Sequence, residues 1–282
     1  QAEDGIRDVE RSRGLGDVYK RQIINRRDDG FHNIRTGITF IDLFDEITVQ
    51  PHSKFQVIYT GNFAPKNNLF EDCIIDKLFS YIHVDKPKLL FTISKNFPYE
   101  AGLGSASSNV ASVIKILENL ELIKKKNIFD YVDLGSDIPV FLNQKDALVR
   151  GRGDLIANVH FPKYYFLLIR PSFKCSTKKM YDSFQPSDFD YNAEFDLEEI
   201  NDQDSGNDFE KILKKNEPEF LSIINFLEDF DDVIFSRLTG SGSCIYSVFE
   251  KKEHAENAQK KFQQSFSKLW TNLSENNLVN LF

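Results

Sequence analysis

The segment Pro98-Tyr99-Glu100-Ala101-Gly102-Leu103-Gly104-Ser105-Ala106-Ser107-Ser108-Asn109 constrains the fold of this chain more than any other. It joins one apolar run, Leu89-Leu90-Phe91-Thr92-Ile93, to another, Val110-Ala111-Ser112-Val113-Ile114-Lys115-Ile116-Leu117. The first has the length and composition of a buried strand, and the second has helical spacing. Between them, Gly102 and Gly104 let the backbone turn sharply and come close to a ligand. The small residues Ser105, Ala106, Ser107 and Ser108 leave their N–H groups uncovered, and the helix that follows aims its positive end at the loop. Such a unit suits phosphate oxygens. It also serves as an ordinary tight connection, so the rest of the chain has to decide. The spacing is neither G-x-G-x-x-G nor G-x-x-x-x-G-K-[ST], which excludes the Rossmann and Walker readings.

With 282 residues, 41% of them hydrophobic, the chain can build two modest domains with real cores. A formal net charge of -8 offers no strongly basic face for a nucleic-acid backbone. Cys73, Cys175 and Cys244 are widely spaced and form no C-x-x-C pair, so they read as small buried hydrophobes in a reducing compartment. No apolar run approaches the roughly 20 residues of a membrane span. These features describe a cytoplasmic globular protein that has neither nucleic acid nor membrane as its partner.

Residues 1–22, QAEDGIRDVERSRGLGDVYKRQ, fit nothing downstream. They are polar, lack a sustained period and resemble no targeting peptide. Asp17-Val18-Tyr19-Lys20-Arg21-Gln22 is what a library-tagging adaptor, GAT GTG TAT AAG AGA CAG, encodes, and the residues before it continue the same match. The segment is therefore expected to be non-native and disordered, with native coding sequence resuming at Ile23 and the native start missing.

From there the pattern mixes strands and helices without strict βαβ alternation, which predicts α+β in two domains. Ile23–Asn25 ends a strand. Ile34–Phe44 and Glu46–Gln50 are predicted strands meeting at a turn around Asp45, and Phe55–Tyr59 is a further strand. Asn68–Ile82 has helical spacing. A second block begins near Val159, with a buried-type strand at Tyr164–Ile169 and helices at Phe209–Leu213 and Phe220–Leu227. Strands at Val233–Leu238 and Cys244–Phe249 flank a glycine loop, and His254–Leu269 is a closing helix. Glu194–Gly206 is acidic and reads as a solvated loop or short helix. The domains are expected at 23–157 and 158–282.

Several separated motifs, taken in order, resemble those of the GHMP kinases. Pro98 to Ser108 is similar to that family's phosphate loop; Gly135-Ser136-Asp137-Ile138-Pro139 to its G-[AS]-D-x-P segment; and Leu238-Thr239-Gly240-Ser241-Gly242-Ser243 to its third glycine motif. Arg27-Asp28-Asp29-Gly30-Phe31-His32 resembles the R-x-D-G-[YF]-H signature of one branch, whose acceptor is a cytidine-diphosphate-linked methylerythritol. Ser176-Thr177-Lys178-Lys179-Met180-Tyr181 and Asn207-Asp208-Phe209-Glu210 resemble two further elements of that branch. The likeness covers Ile23 to about Phe249.

The resemblance implies a two-domain α+β fold, with an N-terminal domain like domain 2 of ribosomal protein S5 and a ferredoxin-like C-terminal domain. It implies ATP, with Mg²⁺, wrapped by Pro98, Tyr99, Glu100, Ala101, Gly102, Leu103, Gly104, Ser105, Ala106, Ser107 and Ser108. Asp137 would accept the proton of the acceptor hydroxyl. Phe31 and Tyr181 would sandwich cytosine, His32 would bond its polar edge, and Gly240, Ser241 and Gly242 would face the acceptor phosphates. No carboxylate cluster marks a metal cage, so the metal ligands stay unassigned, and the protein is expected as a monomer or homodimer.

Local alternatives stay open. His32 could bond hairpin backbone, Tyr181 could be core, Asp137 could cap a helix, and a helix cap suffices for Asn207–Glu210. Lys95 could reach phosphate or lie solvated on the surface. Glu100 stands where the branch has glycine, and its carboxylate would repel phosphate unless turned away. The family's opening strand, with a lysine that pairs with the catalytic aspartate, would precede Ile23. Its absence implies one strand fewer and a chain inactive or nearly so. The rivals are another GHMP kinase, of mevalonate or homoserine type, and a non-catalytic nucleotide-binding protein of this fold.

Overall fold

The computed structural model describes residues 8–16, 21–66, 74–184 and 206–276. Strands β1 (Asp8–Gly16) and β2 (Arg21–Arg26) both pair with the long β3 (His32–Pro51). Next come β4 (Gln56–Thr60), α1 (Ile74–Ile82), β5 (Leu89–Ser94) and α2 (Ser105–Asn119). A short 3₁₀ turn, Ile128–Tyr131, leads into α3 (Ile138–Asn143) and the hairpin β6 (Ala147–Gly151) and β7 (Leu155–Asn158). The remainder comprises β8 (Tyr165–Arg170), α4 (Thr177–Asp182), α5 (Glu210–Asn216), α6 (Pro218–Glu228), β9 (Phe235–Leu238), β10 (Ile245–Phe249), α7 (Lys252–Ser265) and β11 (Trp270–Glu275).

Two compact units result. One comprises Gln1–Gly14, Leu43–Tyr99 and Gly104–Gln144, and the other Leu15–Asp42, Glu100–Leu103 and Lys145–Phe282. The 20-residue β3 serves both, and the loop before α2 leaves the first unit for four residues.

In the first unit the C-terminal half of β3 pairs antiparallel with β5, which pairs parallel with β4. α1 buries Ile75, Leu78, Phe79 and Ile82, the i, i+3, i+4, i+7 stripe of an amphipathic helix. Each such side chain contributes about 1.5–3 kcal/mol on burial. α2 is buried along most of its length, through Val110, Val113, Ile114 and Leu117 among others.

In the second unit the N-terminal half of β3 pairs with β2 and β6, and β6 with β7. A separate antiparallel sheet has the order β11-β8-β10-β9. Its core gathers Leu167 and Ile169 of β8, Phe220, Ile223 and Leu227 of α6, and Ala258 and Phe262 of α7.

Two expectations are corrected. Asp8–Gly16 is a strand that pairs with β3, not a disordered arm. Ser12 and Gly14 are buried while Arg11 is exposed, the alternation of a half-buried strand. The inward positions carry small residues, so the strand has no hydrophobic signature. Asp45 is not a turn: it lies fully buried within β3. Of the expected helix at Asn68–Ile82, the described part, Ile74–Ile82, is helical, and 67–73 lie outside the described residues. The acidic stretch 194–205 and Cys73 also lie outside them. No helix among the described residues is long and apolar enough to cross a membrane.

Candidate active site

The loop from Pro98 to Ser108 takes shape from its glycines. Gly102 (φ 74°) and Gly104 (φ 65°) are left-handed, and Gly104 is the N-cap of α2 without any side-chain cap. The first amide to bond back along the helix is that of Ser108, to the Gly104 carbonyl at 2.9 Å. The N–H groups of Ser105, Ala106 and Ser107 therefore have no intrahelical acceptor, and a 15-residue helix stands behind them. Aligned amides and a positive helix end make a polyanion site that fits a nucleotide triphosphate.

The hydroxyls of that turn divide. Ser108 Oγ donates to the Arg13 carbonyl at 2.6 Å and lies 2.7 Å from Ser12 Oγ, so it holds β1. Ser105 Oγ is buried against Lys95 and Asp45. Ser107 is left half-buried, with no hydrogen bond of its hydroxyl among the described residues. Pro98 and Ala101 are buried, Tyr99 is half-buried and Ala106 is exposed.

Lys95 is neither solvated nor free to reach phosphate. It is 1% exposed and paired with Asp45. Burial lowers its pKa and raises that of Asp45, while their mutual attraction opposes both changes.

Residues Glu100–Leu103 pack within the second unit against the other glycine loop. Thr239 Oγ1 donates to the Gly102 carbonyl at 3.1 Å, and the Cys244 amide donates to the Ala101 carbonyl at 3.1 Å. Leu103 is buried. Gly240 (φ 54°) and Gly242 (φ 88°) are left-handed, and Ser241 Oγ lies 2.7 Å from Thr177 Oγ1 at the start of α4.

Asn207 braces this loop. Its Nδ2 donates to the carbonyls of Leu238 (2.9 Å) and Gly240 (2.7 Å), while its Oδ1 accepts from Phe209 N. Glu210 accepts from Leu238 N at 2.8 Å, and Asp208 accepts from Ile23 N at 2.8 Å. The Asn207–Glu210 motif thus does more than cap a helix.

Glu100 has φ 53°, the left-handed region in which an L side chain costs about 1–2 kcal/mol relative to glycine. Its carboxylate is exposed, with Lys174 Nζ 3.8 Å away, a distance at which a surface pair contributes little. Glu100→Gly is expected to stabilise the protein by about 0.5–1 kcal/mol, the strain relief less the extra unfolded-state entropy of glycine. If the loop holds a nucleotide triphosphate, removing a like charge should also lower its KM severalfold. Thermal melts and initial rates of the single variant read both; a lower melting temperature would contradict the strain argument.

The R-x-D-G-F-H signature is the turn between β2 and β3. Gly30 N donates to the Arg27 carbonyl (3.1 Å), Arg27 N to the Phe31 carbonyl (2.8 Å), and Phe31 N to Asp29 Oδ1 (3.1 Å). Phe31 is 48% exposed and carries the Arg152 guanidinium 5.1 Å from its ring centre. The His32 ring stacks on Tyr181 at 4.9 Å and 24°. Tyr181 also meets Phe209 edge-on at 4.9 Å, so it is at once core packing and platform. Burial, then Arg26, pushes the His32 pKa down against the pull of Asp182, which keeps the ring neutral at neutral pH. A neutral imidazole can accept as well as donate a hydrogen bond.

Asp137 occupies the N-cap position of α3, followed by Ile138 and Pro139, but its side chain makes no capping bond. The half-buried carboxylate is not spent on the helix. No group of three or more metal-binding side chains occurs among the described residues.

The chain thus carries a glycine loop leading into α2, a second glycine loop packed on residues 100–103, and an aspartate that does not cap its own helix. Residues 192–268 match the family described as GHMP kinases C terminal. Proteins named 4-diphosphocytidyl-2-C-methyl-D-erythritol kinase are similar along most of the chain. That of Francisella philomiragia is 30% identical over 261 residues, covering 87% of this chain and 89% of that protein. That of Francisella tularensis subsp. holarctica is 32% identical over 255 residues, with the same coverage. A crystal structure of 4-(cytidine 5'-diphospho)-2C-methyl-D-erythritol kinase superposes with a TM-score of 0.76 at 20% identity, covering 96% of this chain and 100% of that one. The chain belongs to the 4-diphosphocytidyl-2-C-methyl-D-erythritol kinase family, and its fold is the two-domain α+β fold of GHMP kinases.

Proposed function

We propose that this kinase transfers the γ-phosphoryl group of ATP to the 2-hydroxyl of 4-diphosphocytidyl-2-C-methyl-D-erythritol, in the non-mevalonate route to isoprenoid precursors. The observation that carries this reading beyond the family is the stacked His32–Tyr181 pair beside the Phe31 turn. It offers an aromatic platform and a neutral ring nitrogen, which suit a cytosine and have no evident use for a small aliphatic alcohol.

Phosphoryl transfer asks the protein for positioning and charge stabilisation. The amides of Ser105–Ser107 and the positive end of α2 would hold the triphosphate. Mg²⁺ would arrive on the nucleotide and neutralise its phosphates. The amides of Gly240–Gly242 would take the acceptor's diphosphate. As the 2-hydroxyl oxygen attacks the γ-phosphorus, its proton would pass to the Asp137 carboxylate, and ADP would leave with the electrons of the broken bond.

Turnover is expected to be slow. The residues before Ile23 hold no A-K-[IV]-N-L pattern of the kind the resemblance implies, and Lys95 is committed to Asp45.

Tyr181→Ala tests the acceptor half. The KM for the cytidyl acceptor should rise at least tenfold, with the KM for ATP unchanged, since one base stack is worth about 1–3 kcal/mol. In the unaltered protein CDP should bind more tightly than UDP. Equal affinity for CDP and UDP would remove the basis for cytosine recognition here.

A further inference from the structure

Beneath the phosphate loop lies a buried polar cluster that the proposed chemistry does not use. Lys95 Nζ donates to Asp45 Oδ2 and to Ser105 Oγ. With the Asn109 amide in the orientation that satisfies its neighbours, its oxygen accepts from Lys95 Nζ at 3.1 Å. Its nitrogen then donates to Asp45 Oδ2 (3.1 Å) and Ser12 Oγ (2.6 Å). An ammonium has three protons, and here each has an acceptor. The second oxygen of Asp45 accepts from Asn96 N at 2.9 Å.

The backbone of Lys95 is held as firmly. Its N–H donates to the Thr60 carbonyl at 2.7 Å and its carbonyl accepts from Phe63 N at 3.2 Å. A Cβ on Gly61 would come within 2.7 Å of that carbonyl oxygen, so the chain passes over Lys95 with no room to spare.

Two of the three acceptors belong to one turn of α2. Ser105 is its first residue, and Asn109 stands four positions on, directly above it. Asp45 belongs to β3 and Lys95 follows β5. The ammonium therefore ties the helix start to the sheet beside the amides of Ser105–Ser107, which have no intrahelical acceptor.

We propose that Lys95 is a positioning residue for nucleotide binding, acting through Ser105 and Asn109 without touching phosphate. Asp45 keeps the charge neutralised so that it can be buried. This rests on the kinase reading for its ligand, though the positioning itself can be read without nucleotide. The function of the pair is geometric: it sets the direction of three backbone dipoles, and misalignment there weakens phosphate binding before it weakens the fold.

The test removes both charges at once, because a lone buried Asp45 could prevent folding. In Lys95→Met/Asp45→Leu the melting temperature should stay within a few degrees of the parent. Amide hydrogen exchange in nucleotide-free protein should accelerate at least tenfold at Ser108 and Asn109 and stay unchanged in α1. The Kd for ATP should rise at least tenfold, with CDP binding unaltered. Ser105→Ala, a small change that keeps the ion pair, should show the same pattern more weakly and decides the matter if the double variant does not fold. Parental exchange and parental ATP affinity in the folded variant would overturn the proposal. A parent protein that binds no ATP would sink the kinase reading, while the exchange result would still decide the role of Lys95.

Discussion

Replacing Asp137 by asparagine should lower the rate of phosphoryl transfer at least a hundredfold and leave ATP affinity within about twofold of the parent. A positioned general base contributes about 10²–10⁴ in rate, and the amide has the shape of the carboxylate but cannot accept the proton. The split between rate and affinity follows from geometry. Asp137 caps nothing, so its loss should not disturb α3, and the amides assigned to the triphosphate belong to α2. Single-turnover transfer from γ-labelled ATP, beside equilibrium ATP binding, separates the two effects. A rate within threefold of the parent would remove Asp137 from the chemistry.

Gly102→Ala should be the most damaging change of a single atom. A Cβ there would lie 2.1 Å from the Thr239 carbonyl oxygen, and φ is 74°. Left-handed strain of about 1–2 kcal/mol adds to overpacking of about 1–3 kcal/mol, giving a loss near 3 kcal/mol. At about 2–4 °C per kcal/mol the melting temperature should fall by roughly 6–12 °C. The loop can relieve the overlap only by lifting from Thr239, which would break the Thr239–Gly102 hydrogen bond and displace the residues leading into Gly104. ATP binding should weaken at least tenfold. A melting curve and one titration suffice, and an unchanged melting temperature would show that the two glycine loops are not packed as described.

The glycine loop before α2 and the helix itself were legible in the sequence because their signals are local: glycines where φ is positive, small residues over the amides, an apolar run behind. β1 was not legible, since its inward residues are Ser12 and Gly14, whose burial rests on partners nearly a hundred positions away. Asp45 looked like a break in a hydrophobic pattern. Its true partner, Lys95, is 50 residues on, and nothing in either neighbourhood announces the pair. Asn207 has the same character: its motif suggested a cap, while its amide braces carbonyls more than 30 residues distant. The left-handed backbone at Glu100 was hidden as well, since a glutamate does not announce a positive φ.

The most direct measurement is ADP release and product analysis with ATP–Mg²⁺ and four acceptors in parallel: 4-diphosphocytidyl-2-C-methyl-D-erythritol, its uridyl analogue, mevalonate and homoserine. Slow, ATP-dependent formation of the 2-phosphate of the cytidyl acceptor, with no product from the other three, is the expected result. Phosphorylation of mevalonate or homoserine, or equal use of the cytidyl and uridyl acceptors, would contradict the assignment of His32 and Tyr181 to cytosine and with it the proposed reaction.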